Sequence, residues 1–167
     1  MFFSCLRLGK IIIERDESMI KKLVTVTIAI GLSFAVSGLA NAQLPPGFKK
    51  QELTKISDSV YTFRNMFHRT WFMVTDAGVI VADPINEGAA KAMLAEIRKV
   101  TDKPVKYLLY SHEHADHASG GQVFKDAGAT LVSHAACVEH MKAPGQTAAT
   151  MTWTGAHVIT LGGKSVE

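Results

Sequence analysis

Apolar residues recur along this chain with two periods. Ser59 to Phe63, Thr70 to Thr75 and Val79 to Ala82 are rich in β-branched and aromatic residues, and Asp76-Ala77-Gly78 separates the last two. That pattern predicts three short antiparallel strands, with a tight Asp-Ala-Gly hairpin and a stop at Asp83-Pro84. The period then changes. Asn86 is a predicted N-cap, and Ala90, Met93, Leu94 and Ile97 form one stripe of a helix running to about Val100, before Asp102-Lys103-Pro104. Val105 to Tyr110, apolar apart from Lys106, predicts a buried strand. A short helix over Ser119 to Asp126 ends at Gly128, and a strand follows at Thr130 to Val132. A further helix is predicted over Ala135 to Met141, before Pro144-Gly145, and Val158 to Leu161 with Gly162-Gly163 opens a last hairpin. Strands alternating with helices predict an α/β domain whose helices cover one sheet face.

One run departs from this soluble pattern. Leu23 to Leu39 carries no charge, follows Lys21-Lys22 and ends in Ala40-Asn41-Ala42 before Gln43. A basic segment, an apolar segment and a small-x-small end make a secretory signal peptide. As a membrane anchor the run is short, and Gly31, Ser33, Ser37 and Gly38 weaken it further. Cleavage near Ala42 and a periplasmic or secreted location are therefore expected, with no stable membrane anchor. Met19 opens a complete signal peptide by itself, so residues 1–18 read as a start-site extension and 19–42 as the signal. Residues 43–56, with Leu44-Pro45-Pro46-Gly47, read as a linker, and 57–167 as the folded domain.

Composition narrows the function classes. A chain of 167 residues, 47% hydrophobic and 20% charged, can bury one core and is neither disordered nor a disulfide-dense miniprotein. The net charge of +3 comes without any Lys/Arg cluster interleaved with aromatics, so no nucleic-acid partner is expected. Of the two cysteines, Cys5 precedes the cleavage site, which leaves Cys137 unpaired. Its apolar neighbours Ala135, Ala136 and Val138 predict a buried, inert thiol.

The chemistry concentrates in Ser111-His112-Glu113-His114-Ala115-Asp116-His117, directly after the predicted buried strand. In extended backbone, side chains at i and i+2 share a side, so His112 and His114 can converge on one ion. Asp116 and His117 come where the chain turns, and can serve a second centre nearby. Imidazole with carboxylate suits zinc, and also iron or manganese. A loop at the C-terminal end of a buried strand is where α/β folds place ligand sites. A helical H-E-x-x-H site is excluded, because Asp116 stands where its second histidine would be. Elsewhere, His68 reads as a loop or strand-end residue near Arg69, lining a substrate mouth or simply solvated, His140 as surface, and Glu113 as a solvent-facing acid. His134 reads as an outer residue behind the ligands, and His157 as a weak late ligand candidate.

This H-x-H-x-D-H run resembles the metal motif of the metallo-β-lactamase superfamily. The likeness extends to the Phe72 to Ala82 hairpin ending in Asp83, to Ser119-Gly120-Gly121, to Gly128-Ala129-Thr130 with Ser133-His134, and to Leu161-Gly162-Gly163-Lys164. It implies the N-terminal half of an αββα sandwich, incomplete at its C-terminus. It also implies His112 and His114 on one metal, Asp116 and His117 on a second, and Asp83 bracing the ligands. Two zinc ions are expected in the complete fold. The implied reaction is hydrolysis of a small-molecule ester, lactone, thioester or lactam by metal-bound hydroxide, with Asp116 as the catalytic carboxylate. The family's later ligands fall beyond Glu167, so the chain is read as a fragment expected to bind zinc weakly and to turn over nothing efficiently. The alternative is a non-catalytic, truncated metal-binding protein.

Overall fold

The computed structural model describes residues 46–167. The predicted extension at 1–18 and signal peptide at 19–42 lie outside them. Gly47–Glu167 folds as one unit around a seven-stranded sheet whose strand order follows the chain. Its strands are β1 Gln51–Lys55, β2 Val60–Asn65, β3 His68–Thr75, β4 Gly78–Ala82, β5 Val105–Leu109, β6 Thr130–His134 and β7 Met151–Trp153. β1 to β4 pair antiparallel, and β4 to β7 pair parallel. The helices are α1 Glu87–Val100, α2 Ala115–Ala118, α3 Gly121–Asp126 and α4 Ala135–Val138. A separate hairpin joins β8 Ile159–Leu161 to β9 Lys164–Val166.

The three predicted antiparallel strands form, each a residue or two longer than the pattern indicated. Tyr61 lies directly opposite Phe72 with rings stacked 4.9 Å apart, a cross-strand pair that pins the register of β2 on β3. The stretch read as linker, 43–56, holds β1 instead. Its sequence QELTK is polar except for Leu53, which packs against the main core, and it forms because every residue pairs with β2 and Arg64 bonds Glu52 across the ladder at 2.9 Å.

β4 is central, and all five of its residues are buried. Parallel pairing needs a crossover, which α1 supplies between β4 and β5. Asn86 caps α1 by accepting from the Ala89 amide at 2.9 Å, a bond worth about 1 kcal/mol. Ala90, Met93 and Ile97 bury the predicted stripe against Phe63, Phe72, Val79, Val81 and Leu108. The charge inside the apolar β5 run also has its reason. Register shifts between β4 and β5, leaving Lys106 without a partner and exposed, while Val105 and Leu108 reach the same core.

α3 begins at Gly121 rather than Ser119, because Ser119 bridges Gln146 and Gly120 turns with φ +88°. α4 is one turn, shorter than predicted, and buries none of its residues. Cys137 is accordingly half-buried rather than buried, though burial and the nearby Glu113 charge still push its thiol pKa up. The opposite sheet face carries a second apolar cluster. There Ile159 of the β8–β9 hairpin packs on Ile80 and Val132, flanked by Trp71, Tyr107 and Trp153. Among the described residues, no helix is long and apolar enough to cross a membrane.

Candidate metal centre

The centre forms where the loops leaving β4 and β5 meet. Asp83 follows β4 directly, is 7% exposed and takes φ +33°, while Ile85 takes φ +67°. Aspartate tolerates that region, but a β-branched residue there is an outlier that its surroundings must hold. Ile85 is held by complete burial and by its amide, which donates to the His117 carbonyl at 2.9 Å. The Asp83 amide donates to Leu109 O at 2.9 Å, so the two loops are tied together by backbone before any side chain acts.

Asp83 then organises the imidazoles. Its Oδ1 accepts from the Ser111 amide at 2.8 Å, and its Oδ2 accepts from Ser111 Oγ at 2.6 Å. Ser111 Oγ also lies 2.8 Å from His112 Nδ1, and Asp83 Oδ2 lies 3.3 Å from His117 Nδ1. A carboxylate only accepts. His117 must therefore carry its proton on Nδ1. Ser111, having donated its one hydroxyl hydrogen to Asp83, must accept from His112 Nδ1–H. Both rings are left with a free lone pair on Nε2, the state a metal ligand requires. Asp83, Ser111 and both histidines thus form one relay. Ser111 is a member that sequence reasoning passed over, although it stands beside the hexad.

The rings of His112 and His117 lie 4.4 Å apart, and those of His112 and His114 lie 4.9 Å apart. Two groups bring ligand atoms within 4.8 Å of one another: His68 with Asp116 and His117, and Asp83 with His112 and His117. His114 stands next to His112 at the start of α2 but belongs to neither group. Asp83 accepts three hydrogen bonds, which suits a brace better than a ligand. His68, read from sequence as a loop or strand-end residue, opens β3 and places Nε2 3.0 Å from Asp116 Oδ2. That contact spans 48 positions in sequence, and no local pattern announces it.

The remaining residues lie apart from this cluster. His134 accepts from the Ala136 amide on Nδ1 and faces the Gly155 amide with Nε2, both at 3.2 Å, so its hydrogen bonds serve α4 and the following loop. A neutral ring accepts on one nitrogen only, so these two bonds alternate. His157 stacks on Trp153 at 5.2 Å, and His140 is exposed. Glu113 is half-buried, and its carbonyl accepts from Gln146 Nε2. A cavity of about 280 Å³ lined by Arg69, Trp71, Trp153 and His157 opens beside Asp83 and Ser111.

The His68 hydrogen bond is the main reason the Asp116 carboxyl titrates below the ordinary carboxylate range. A lowered folded value means the pairing is in force above the ordinary value and is lost as pH falls through the lowered one. In a carboxyl-detected NMR titration of metal-free protein, His68→Ala is expected to return Asp116 toward the ordinary value. An unchanged titration would show that the bond is not formed in solution.

The same geometry agrees with what the chain resembles. It is 35% identical over 113 residues to the metallo-beta-lactamase type 2 of Elizabethkingia meningoseptica, covering 63% of this chain and 45% of that protein. It is 30% identical over 101 residues to the 2,4-dinitroanisole O-demethylase subunit alpha of a Nocardioides species, covering 58% and 31%. A linear primary-alkylsulfatase of a Pseudomonas species matches at 40% over 48 residues, 28% of this chain and 9% of that one. The chain thus spans less than half the length of these curated relatives. Among solved structures, the metallo-beta-lactamase from Pontibacter korlensis superposes with a TM-score of 0.63 at 19% identity, covering 69% of this chain and 58% of that one. That from Hirschia baltica gives 0.60 at 15%, covering 70% and 59%. The sequence profile of the metallo-beta-lactamase superfamily matches residues 64–149, just over half of the chain and the stretch that holds the whole Asp83-centred relay, and the protein belongs to that superfamily.

Proposed function

We propose that this chain carries metal ligands of an exported metal-dependent hydrolase acting on a small-molecule ester, lactone, thioester or lactam. One observation carries the reading. Asp83 sets both His112 and His117 with the proton on Nδ1, so that each has Nε2 free, and His117 Nε2 lies 3.9 Å from the Asp116 carboxylate. The donor set of imidazole nitrogens and carboxylate oxygens fits zinc, and would also accept iron or manganese. A bound divalent ion would supply Lewis acidity and lower the pKa of water toward neutrality.

The protein's own groups have separable tasks. His112, His117 and Asp116 would hold metal, and His114, beside His112, stands where a small rotation adds a further nitrogen. Asp116 Oδ, exposed and ionised, would orient the nucleophilic water and take its proton. Arg69, Trp71 and Trp153 in the adjoining cavity would bind a substrate with an apolar body and an anionic group. The names of the relatives point to a demethylase, an alkylsulfatase and a β-lactamase, whose common ground is a small-molecule substrate. Export rests on Lys21-Lys22, the uncharged Leu23 to Leu39 and Ala40-Asn41-Ala42, with Gln43 as the first mature residue. N-terminal sequencing of secreted protein tests that part, and a product retaining residues 1–18 would contradict it.

The activity is tested with the zinc-loaded chain against a panel of chromogenic esters, lactones, thioesters and lactams. Asp116→Asn is expected to lower turnover of the responsive substrate at least ~100-fold while zinc on His112 and His114 is retained. Zinc bound with no turnover of any class would favour a metal-binding role without catalysis.

A further inference from the structure

We infer that His68 is a metal ligand, completing a three-residue site with Asp116 and His117 from within this chain. The inference rests on the metal-binding reading above and adds a ligand from the start of β3, 48 positions before Asp116 in the chain.

The geometry is that of atoms gathered around one point. His68 Nε2 lies 3.0 Å from Asp116 Oδ2, and His117 Nε2 lies 3.9 Å from that same oxygen. Ligand atoms placed tetrahedrally at zinc bond lengths sit about 3.4 Å apart. The two observed separations bracket that value, and the three residues offer ligand atoms all within 4.8 Å of one another. The His68 and His117 rings meet edge to face at 5.5 Å, with their planes 78° apart. Such an arrangement lets both lone pairs converge without stacking the rings.

His68 is also held firmly enough to ligate. It is the first residue of β3 and pairs with Asn65 across a two-residue turn, Met66-Phe67, where Met66 takes φ +55°. The Met66 amide donates to Lys50 O at 2.6 Å, and Arg64 Nη1 donates to Met66 O at 3.4 Å. Gln51 Nε2 donates to Asn65 Oδ1 at 3.2 Å. β1, β2 and the turn thus fix the backbone that carries His68, so little ordering entropy remains to be lost on coordination. Three protein ligands with one open position is the usual form of a reactive zinc site.

A simpler role is hydrogen bonding, with His68 only orienting Asp116. The two roles differ in what glutamine can replace. The side-chain amide introduced by His68→Gln can donate to Asp116, but it is a poor ligand for a transition metal. The test titrates the full chain with Co²⁺ alone, followed by calorimetry and by visible d–d absorption. His68→Ala, His68→Gln, His112→Ala and, as a control, the exposed His140→Ala are compared with the parent. Metal-free melting temperatures establish that each variant is folded.

The parent and His140→Ala are expected to behave alike. His68→Ala and His68→Gln should both weaken one Co²⁺ site at least about tenfold and reduce the intensity of its d–d bands. Parental titration in either His68 variant overturns the inference, as does recovery in His68→Gln alone. If His112→Ala weakens binding while the His68 variants do not, the inference fails and the proposed function stands. If the parent binds no Co²⁺, both fail together.

Discussion

Asp83→Asn is expected to remove most of the metal affinity and little of the stability, whereas Asp83→Ala removes both. The difference follows from which hydrogen bonds each side chain can make. In Asp83→Asn, the amide oxygen can still accept from the Ser111 N–H that now lies 2.8 Å from Oδ1. The φ of +33° is equally open to asparagine. The amide NH₂, however, replaces an oxygen that accepts from Ser111 Oγ and His117 Nδ1. A donor facing both groups reverses the relay. Ser111 must accept and then donate onward, and both imidazoles move their protons to Nε2. Each then presents an N–H where the ligand lone pair had been. Loss of such an outer partner lowers metal affinity about 10–100-fold. Asp83→Ala loses the relay too and leaves the Ser111 amide without a partner, at a cost of about 2–4 kcal/mol. Denaturant unfolding of metal-free protein and zinc titration separate the two effects. Long-range ¹H–¹⁵N spectra of the rings read the tautomers directly. If Asp83→Asn keeps parental zinc affinity, Asp83 does not set the imidazoles.

A large, purely structural effect is expected at Gly120. It turns with φ +88° at the start of α3, and a Cβ there would lie 2.5 Å from the Asn86 carbonyl carbon and 2.7 Å from the Glu87 nitrogen. Both contacts are backbone, and both belong to the N-terminus of α1, where Asn86 caps the helix. Relief would have to move the cap, and with it the loop from Asp83. Gly120→Ala should therefore cost about 2–4 kcal/mol, the sum of left-handed strain and overpacking. Gly128→Ala is the matched control. Its φ is +91°, but a Cβ there meets nothing within 4 Å, so only the strain of about 1 kcal/mol remains. Comparable losses in the two variants would mean that the loop around Gly120 has room to adjust.

Where local chemistry decides structure, it was legible in the sequence. α1 was marked by the Asn86 cap and by a stripe that meets the core at every buried position. The β3–β4 hairpin was marked by a turn triplet between β-branched runs. The hexad stood out because ligand residues are rare and were dense there, whereas Asp83 was marked only by the resemblance of the Phe72 to Ala82 hairpin to the superfamily's first motif. What escaped notice depends on partners distant in sequence. β1 has a single apolar residue, Leu53, too little for a periodic signal, and it is a strand because β2 lies beside it. β7 is three residues long and adds at the edge of β6. His114, paired with His112 by strand alternation, is extended just before α2, and its ring lies 4.9 Å from that of His112. His68 meets Asp116 only once β3 has paired with β4 and β4 with β5, a link that no local pattern encodes.

Calorimetric titration of the metal-free chain with zinc, beside a His112→Ala/His117→Ala double variant of equal melting temperature, tests the central claim most directly. The account predicts saturable binding in the parent and its loss in the double variant, since both Asp83-oriented nitrogens are gone. Binding of equal affinity and stoichiometry in the two proteins would contradict it.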